Sequence, residues 1–567
     1  MKNTEQETKS RLEYYKELYF TALLAVSETH NALERNMGQY LGSDEIDGSG
    51  ERATTVRNIT YELIESQISA DVPVPKVNTP CYSEKRDENA LTVERLCSSL
   101  RDRLPFEQMN DRDERYTYIY GGSVWYIEWD NADGSAKVHC LSPLDFIPQP
   151  GITDIRDMEY CFLRFTTTRG ELMRKYGVSA DDSTLALCEY EYDNDFGSDA
   201  VSIAVCFYRD GEGEIGRLIF SGDLALSDTP KYYKRKEGVC RRCGLGAELC
   251  DCDSPRLEVR DVDLEIIPEE ADTDCRCLPY YTPKDFPIVI RKNIDANGGL
   301  FGSSDCEIIR PQQQAINKIE SRILQKLIRA GVTPIMPEDS TVSLSNAVFG
   351  QVIKMRQGES ADNYSTIDTT PDISQDIKEA DRLYDQAKRV LGISDALQGT
   401  DSVSSESGYA RELKIAQSSS RLESKKRLKY LAYSEIYSLI FKHYLAFSDE
   451  PRPLSYKDPL GKIHLTEFNR HSFIEGDGYG GHYYSDYYLF SVDLNGGGEY
   501  QREALWEKNL HNLESGTLGD KTLPTTLLRY WESQERAHYP YARENVEYFK
   551  ELVEKNNITK GTNNEKE

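Results

Sequence analysis

The 567-residue chain sets 68 Lys and Arg against 96 Asp and Glu, a formal net charge of −28, and this disfavours wrapping nucleic acid, because phosphate neutralisation needs clustered cations. With 38% hydrophobic and 10% aromatic residues it can bury a core, and its length points to about three to four lobes at roughly 100–200 residues each. No run approaches the ~20 apolar residues needed to span a bilayer, and the opening MKNTEQETKSR lacks the apolar centre of a signal peptide. A cytosol-like compartment without a membrane partner is therefore expected. There, 13 cysteines read as core residues or metal ligands before they read as disulfides.

Apolar spacing predicts the elements in chain order. Residues 5–35 carry Leu12, Tyr15, Tyr19, Ala22 and Val26 at helical spacing, and the polar, glycine-rich 42–50 ends that surface-docked helix. A second helix over 52–70 aligns Val56, Ile59 and Leu63 before Pro73 and Pro75 force VPVPKV into extended chain. After a helix near 89–103, the runs 122–129 and 137–141 flank the turn DNADGSA as a hairpin. SPLDFIPQPG turns the chain, and strands are expected at 158–165, 185–192, 201–208 and 214–220, which makes a mixed lobe.

From IDANGGLFGSSD onward the chain becomes mostly helical. A helix over 311–330 has Ile316, Ile319, Ile323 and Leu327 on one stripe and Lys318, Arg322, Lys326 and Arg329 on another. Residues 331–368 are short, β-like and turn-rich. An amphipathic helix over 372–391 follows, with Ile373, Ile377, Ala380, Tyr384 and Ala387 at helical spacing. GISDALQGTDSVSSESG breaks it, and a very long helix occupies 407–447. A Tyr- and Gly-rich β stretch, two or three helices to about 555 and a polar, mobile tail complete an α+β chain without internal repeats.

Six cysteines between 240 and 277 form the most specific local signal. Cys240-x2-Cys243-Gly244 is a knuckle spacing, in which two thiolates face one ion while glycine permits the turn; Cys250-x-Cys252 and Cys275-x-Cys277 offer further pairs. Cys275 and Cys277 are slightly preferred to complete the set, because they bracket the strand-like LEVRDVDLEII, and the choice of four stays open. An all-thiolate Zn2+ site leaves no position for water, so it reads as structural.

The stripe Lys318, Arg322, Lys326, Arg329 and the cluster Arg421, Lys425, Lys426, Arg427, Lys429 read first as solvated helix faces, with phosphate contacts or subunit salt bridges as the alternatives. Between them, 390–410 lacks Lys and Arg and carries Asp395, Asp401 and Glu406. GxSxG, Walker A and HExxH patterns are missing, and His464, His471 and His482 are the only histidines that fall near one another. No catalytic constellation is recognisable, and the expectation is that the chain is not an enzyme. A zinc-containing nucleic-acid-binding protein using Cys240–Cys277 is the alternative reading, and a hydrolase built on the C-terminal histidines a more distant one.

In this order of parts, the phrase GGLFGSSDCEIIRPQQQAINKIESRI opening a long helix, SPLDFIPQPG followed by DMEYCFLRF, and the late run 500–552 give the chain a resemblance, over about residues 10–555, to the portal proteins of tailed phages, especially the SPP1-like group. That resemblance implies a wing over 1–299 with a cysteine-rich zinc insertion at 238–279. It implies a first stem helix at 300–330, a clip at 331–368, a second stem helix at 369–391 and a tunnel loop at 392–407 facing DNA through Asp395, Gln398, Asp401, Ser404 and Glu406. A long tunnel helix at 408–447, wing strands at 448–500 and crown helices with the tail at 501–567 complete it. It further implies a homo-oligomeric ring, usually of twelve subunits, at the capsid vertex of the virion, assembled in the host bacterial cytoplasm. Implied partners are the major capsid and scaffolding proteins, the terminase large subunit, a head–tail connector, and double-stranded DNA passing without sequence preference. An acidic loop repeated around a ring would repel phosphate and so favour sliding over attachment.

Overall fold

The structure, a computed structural model, describes residues 2–43, 57–80, 83–177, 200–240, 257–262, 264–267, 275–296, 298–329, 332–335, 365–368, 371–393, 408–457, 463–476, 481–493, 499–536, 539, 542, 544–550 and 552–553. It is a mixed helix-and-sheet fold of the α+β class. The chain divides into two compact units: Met1–His30, Ile68–Ser303 and Glu423–Glu567 form the first, and Asn31–Gln67 with Ser304–Leu422 the second. Asn31–Gln67 thus groups with residues after Ser303 although the first unit flanks it on both sides in the chain.

In the first unit, helix α1 (Lys2–Leu41) contributes its residues up to His30. Leu12 and Ala22 on its inner stripe pack against Phe162, Cys206, Leu218 and Phe220 of a five-stranded antiparallel sheet. That sheet runs in the order β4 (Phe146–Pro148), β5 (Tyr160–Thr168), β6 (Ala200–Arg209), β7 (Ile215–Ser221) and β8 (Leu224–Thr229). Arg11 of α1 reaches Asp228 of β8 at 2.7 Å. The second face of the sheet carries Leu163, Val205 and Phe207 into another apolar cluster with Tyr126, Tyr232 and Phe286. Cover on both faces explains the near-continuous apolar sequence AVSIAVCFYR of β6, since a strand buried on both sides has no reason to alternate.

A three-stranded sheet, β13 (Ile288–Lys292) beside β2 (Gly122–Asp130) beside β3 (Ser135–Leu141), is antiparallel throughout and aligns Trp125 with Val289 and Cys140. Helices α3 (Glu84–Arg103) and α4 (Phe106–Tyr120) share its core with residues 432–445 of α8 (Gly408–Phe447). The apolar pattern does not predict α4. Asn110, Asp113, Glu114 and Thr117, at core spacing, are buried polar residues, so the helix has no apolar stripe to read.

Smaller antiparallel ladders complete the unit: β1 (Val74–Asn78) with β20 (Leu489–Asp493), β9 (Arg235–Cys240) with β10 (Leu257–Val262), and β11 (Leu264–Ile266) with β12 (Cys277–Pro279). Two more pair β16 (Arg452–Lys457) with β17 (Ile463–Phe468) and β18 (Ile474–Gly476) with β19 (His482–Tyr484). The short helix α5 (Arg169–Tyr176) starts where Thr168 accepts the Glu171 N–H and stops at Gly177, whose φ of 66° suits glycine. Helices α9 (Glu499–Glu514) and α10 (Pro524–Arg536) follow. The strand expected at 185–192 and the polar tail lie outside the described residues.

The second unit holds α2 (Ile59–Glu65), α6 (Asp305–Arg329), the ladder of β14 (Val332–Ile335) with β15 (Ser365–Asp368), α7 (Ser374–Leu391), and the start of α8. Of the helix expected over 52–70, the described part is α2. Helix α6 starts six residues before Pro311, because the Ser304 hydroxyl accepts the Cys306 N–H at 3.0 Å and caps it, leaving the proline inside the helix. Among the described residues no helix is long and apolar enough to cross a membrane.

Candidate functional site

Of the residues singled out from sequence, the basic stripe lies on α6, which pairs with α7 as a helical hairpin in the second unit. Ile309 and Ile316 of α6 meet Ala387 and Leu391 of α7 in one apolar cluster, to which Ile59 and Leu63 of α2 and Ile393 also belong. The helices run antiparallel: Asp376 near the start of α7 accepts ion pairs from Arg322 and from Lys326 (2.5 Å), near the end of α6. The antiparallel ladder from Val332↔Asp368 to Ile335↔Ser365 continues the hairpin beyond both helices.

Polar contacts fix the other end. Gln313, fully buried, accepts the backbone N–H and hydroxyl of Thr60 at 3.0 Å each and donates to Arg57 O at 2.8 Å and to Asn317 at 3.0 Å. Arg310 bonds Gln39 at 3.0 Å and also Asn36, both from the end of α1. The idiom RPQQQAIN is therefore a wiring sequence, in which Arg310, Gln313 and Asn317 face inward at i, i+3 and i+7.

Of the expected basic stripe, Lys318 is exposed, while Arg322 and Lys326 are engaged by Asp376. Arg329 closes α6, and its side chain is outside the described set. The tunnel-loop residues Asp395, Gln398, Asp401, Ser404 and Glu406 lie outside the described residues, whose path stops at Ile393 and resumes at Gly408.

Among the cysteines, Cys240 ends β9 opposite Leu257, and Cys243, Cys250 and Cys252 lie outside the described residues. Cys275 is buried with Ile267 and Leu278 in the main apolar cluster, and its thiol donates to Cys277 O at 3.3 Å; Cys277 is exposed. Cys97, Cys161 and Cys306 are buried free thiols, whose burial pushes their ionisation well up. The described residues contain one further group with metal-holding proximity, Asp210, Glu212 and Glu214. Lys231 and Lys234 already neutralise Glu214, at 3.2 and 3.0 Å.

Two buried charge clusters in the first unit escape sequence reading. Arg291 of β13 pairs with Asp113 and with Glu114 (2.8 Å) of α4, and Lys429 of α8 pairs with Glu114 at 3.2 Å; all four side chains are 5% exposed or less. The Arg291 and Asp113 pairing also recruits Trp125, whose indole N–H donates to Asp113 at 2.9 Å. In the second cluster, Glu265 of β11 accepts from Arg470, from His471 (2.9 Å) and from Tyr484 (2.8 Å). His471 is thereby engaged by Glu265. The only sequence signal for the first cluster is the polar stripe NDRDERYT, which carries no information about its partners 170 or more residues away.

No family model matches the chain, and none of the curated proteins matches it.

Proposed function

We propose that the chain is a portal-type subunit: a ring-forming, non-enzymatic conduit for double-stranded DNA that also docks packaging and connector proteins. The observation that carries this reading is the order α6, small β ladder, α7, acidic break, 40-residue α8. A stem that lines a passage needs two antiparallel helices closed at one end, and α6–α7 supplies that form. A clip needs the closed end to project, which the β14–β15 ladder supports. The acidic residues Asp395, Asp401 and Glu406 then fall where the resemblance puts the DNA-facing loop, with a charge that discourages tight attachment. Arg322 and Lys326 serve the hairpin through Asp376, so among the described side chains of that stripe Lys318 is the one placed for phosphate contact.

The cysteine module is a structural zinc site in this reading. Because Cys275 is packed among apolar side chains while Cys277 is exposed, the set Cys240, Cys243, Cys250 and Cys252 is favoured over one completed by 275 and 277. Metal analysis of purified protein should find one zinc per chain, lost in Cys250→Ser and kept in Cys275→Ala; the reverse pattern would restore the other set.

Electron microscopy of the purified full-length protein tests the main reading. Closed rings with a central opening are expected. Monomers alone, across low and high salt, would overturn it.

A further inference from the structure

Residues 68–73 lie within the first unit immediately after the chain leaves the second at Gln67, and α8 passes into the first unit at Glu423. The 68–73 segment, half-buried to exposed except at Pro73, has no regular secondary structure to pair its backbone polar groups. Side chains of α4 and α8 supply partners. Glu114 accepts the Ser69 N–H at 3.1 Å, and Asn110 donates to Ser69 O at 2.9 Å. Lys429 donates to Asp71 O at 2.8 Å, and the Tyr437 hydroxyl to Pro73 O at 2.7 Å.

Glu114 stands at the junction. One of its carboxylate oxygens holds Ser69, and the other faces Lys429 at 3.2 Å and Arg291 at 2.8 Å. Two cations, Lys429 and Arg291, balance two anions, Asp113 and Glu114, so losing any one of the four leaves an uncompensated buried charge. Neither the 68–73 path nor the register of α8 at Lys429 can change without disturbing the same carboxylate.

We propose that Glu114 is a latch shared by these two chain entries, so that displacement of α8 at Lys429 loosens residues 68–73 and the reverse. This holds independently of the conduit reading, because every group in it lies in the first unit.

Hydrogen exchange on the full-length chain tests it. In Glu114→Gln, which keeps the side-chain shape, exchange should rise together over 68–73 and 423–433, by about tenfold or more, while β5–β7 stay at wild-type protection. Lys429→Met should produce the same paired loosening, and Lys429→Arg, which keeps the charge, should largely suppress it. Combining Glu114→Gln with Lys429→Met should add little to the worse single variant, as expected for groups acting as one unit. Loosening of one segment without the other, or a uniform rise across the whole first unit, would show ordinary packing and overturn the latch. If Lys429→Met does not fold, Glu114→Gln alone decides between those outcomes.

Discussion

Gly302 shows how a single residue in the FGSSD phrase is dictated by approach of backbone to backbone. A Cβ there would sit 2.6 Å from Ile294 O and 2.7 Å from Ile294 N. The close contact is what allows Gly302 N–H to reach Gly121 O and Ser303 N–H to reach Ile294 O, both at 2.9 Å. Gly302→Ala should therefore destabilise the protein by about 1–3 kcal/mol, read from urea midpoints, because backbone cannot yield as a side chain can.

His443 supplies a pH dependence. It is fully buried in α8, its Nδ1–H donates to Leu439 O at 2.8 Å, and burial pushes its pKa down to about 4. In the unfolded chain the ring titrates near 6.5. The unfolded state then binds more protons between these values, so this contribution is intact above about pH 6.5 and lost as pH falls toward 4, reaching about 3 kcal/mol. Chemical denaturation across that range should show the loss, and His443→Phe should flatten it.

Among the elements, the α6–α7 hairpin makes the sharpest comparison with the sequence. Helices α6 and α7 end within a residue or two of where apolar periodicity ends them, and Ile316, Ile323, Ala380 and Ala387 of their expected stripes are buried, whereas Leu327 and Ile377 are exposed. Strands β2, β3, β5, β6 and β7 were legible as short apolar runs bounded by turn residues. Helix α4 was illegible because much of its inward stripe is polar, and the cations that neutralise it, Arg291 and Lys429, are far away in the chain. The basic face of α6 was legible as a stripe but not as a set of ion pairs, since its carboxylate partner sits 50 residues on. That pairing predicts the outcome of Asp376→Asn. With Arg322 and Lys326 released, the protein should elute from heparin at higher salt than wild type, and unchanged elution would mean that Asp376 does not restrain them.

At the scale of the molecule, a net charge of −28 on each chain works against association of like copies. For the ring proposed above, electron micrographs at low ionic strength should accordingly show fewer closed assemblies than those at physiological salt, where a Debye length of about 8 Å screens the repulsion. The division into Asn31–Gln67 with Ser304–Leu422, set apart from the rest, could not be read from composition. It depends on Gln39, Thr60 and Arg57 meeting α6 through hydrogen bonds, and such contacts leave no periodic trace.

The β9–β10 ladder has a practical consequence. Arg235 and Val262 are direct antiparallel partners, so the chain enters and leaves the cysteine-bearing excursion at points only about 5 Å apart. The excursion is thus a removable cassette: a tight turn joining those two positions closes the gap, and the same graft point accepts a fluorescent or affinity insert. Such variants would mark this part of the chain in images of the protein while leaving the Glu265 cluster and both larger sheets untouched.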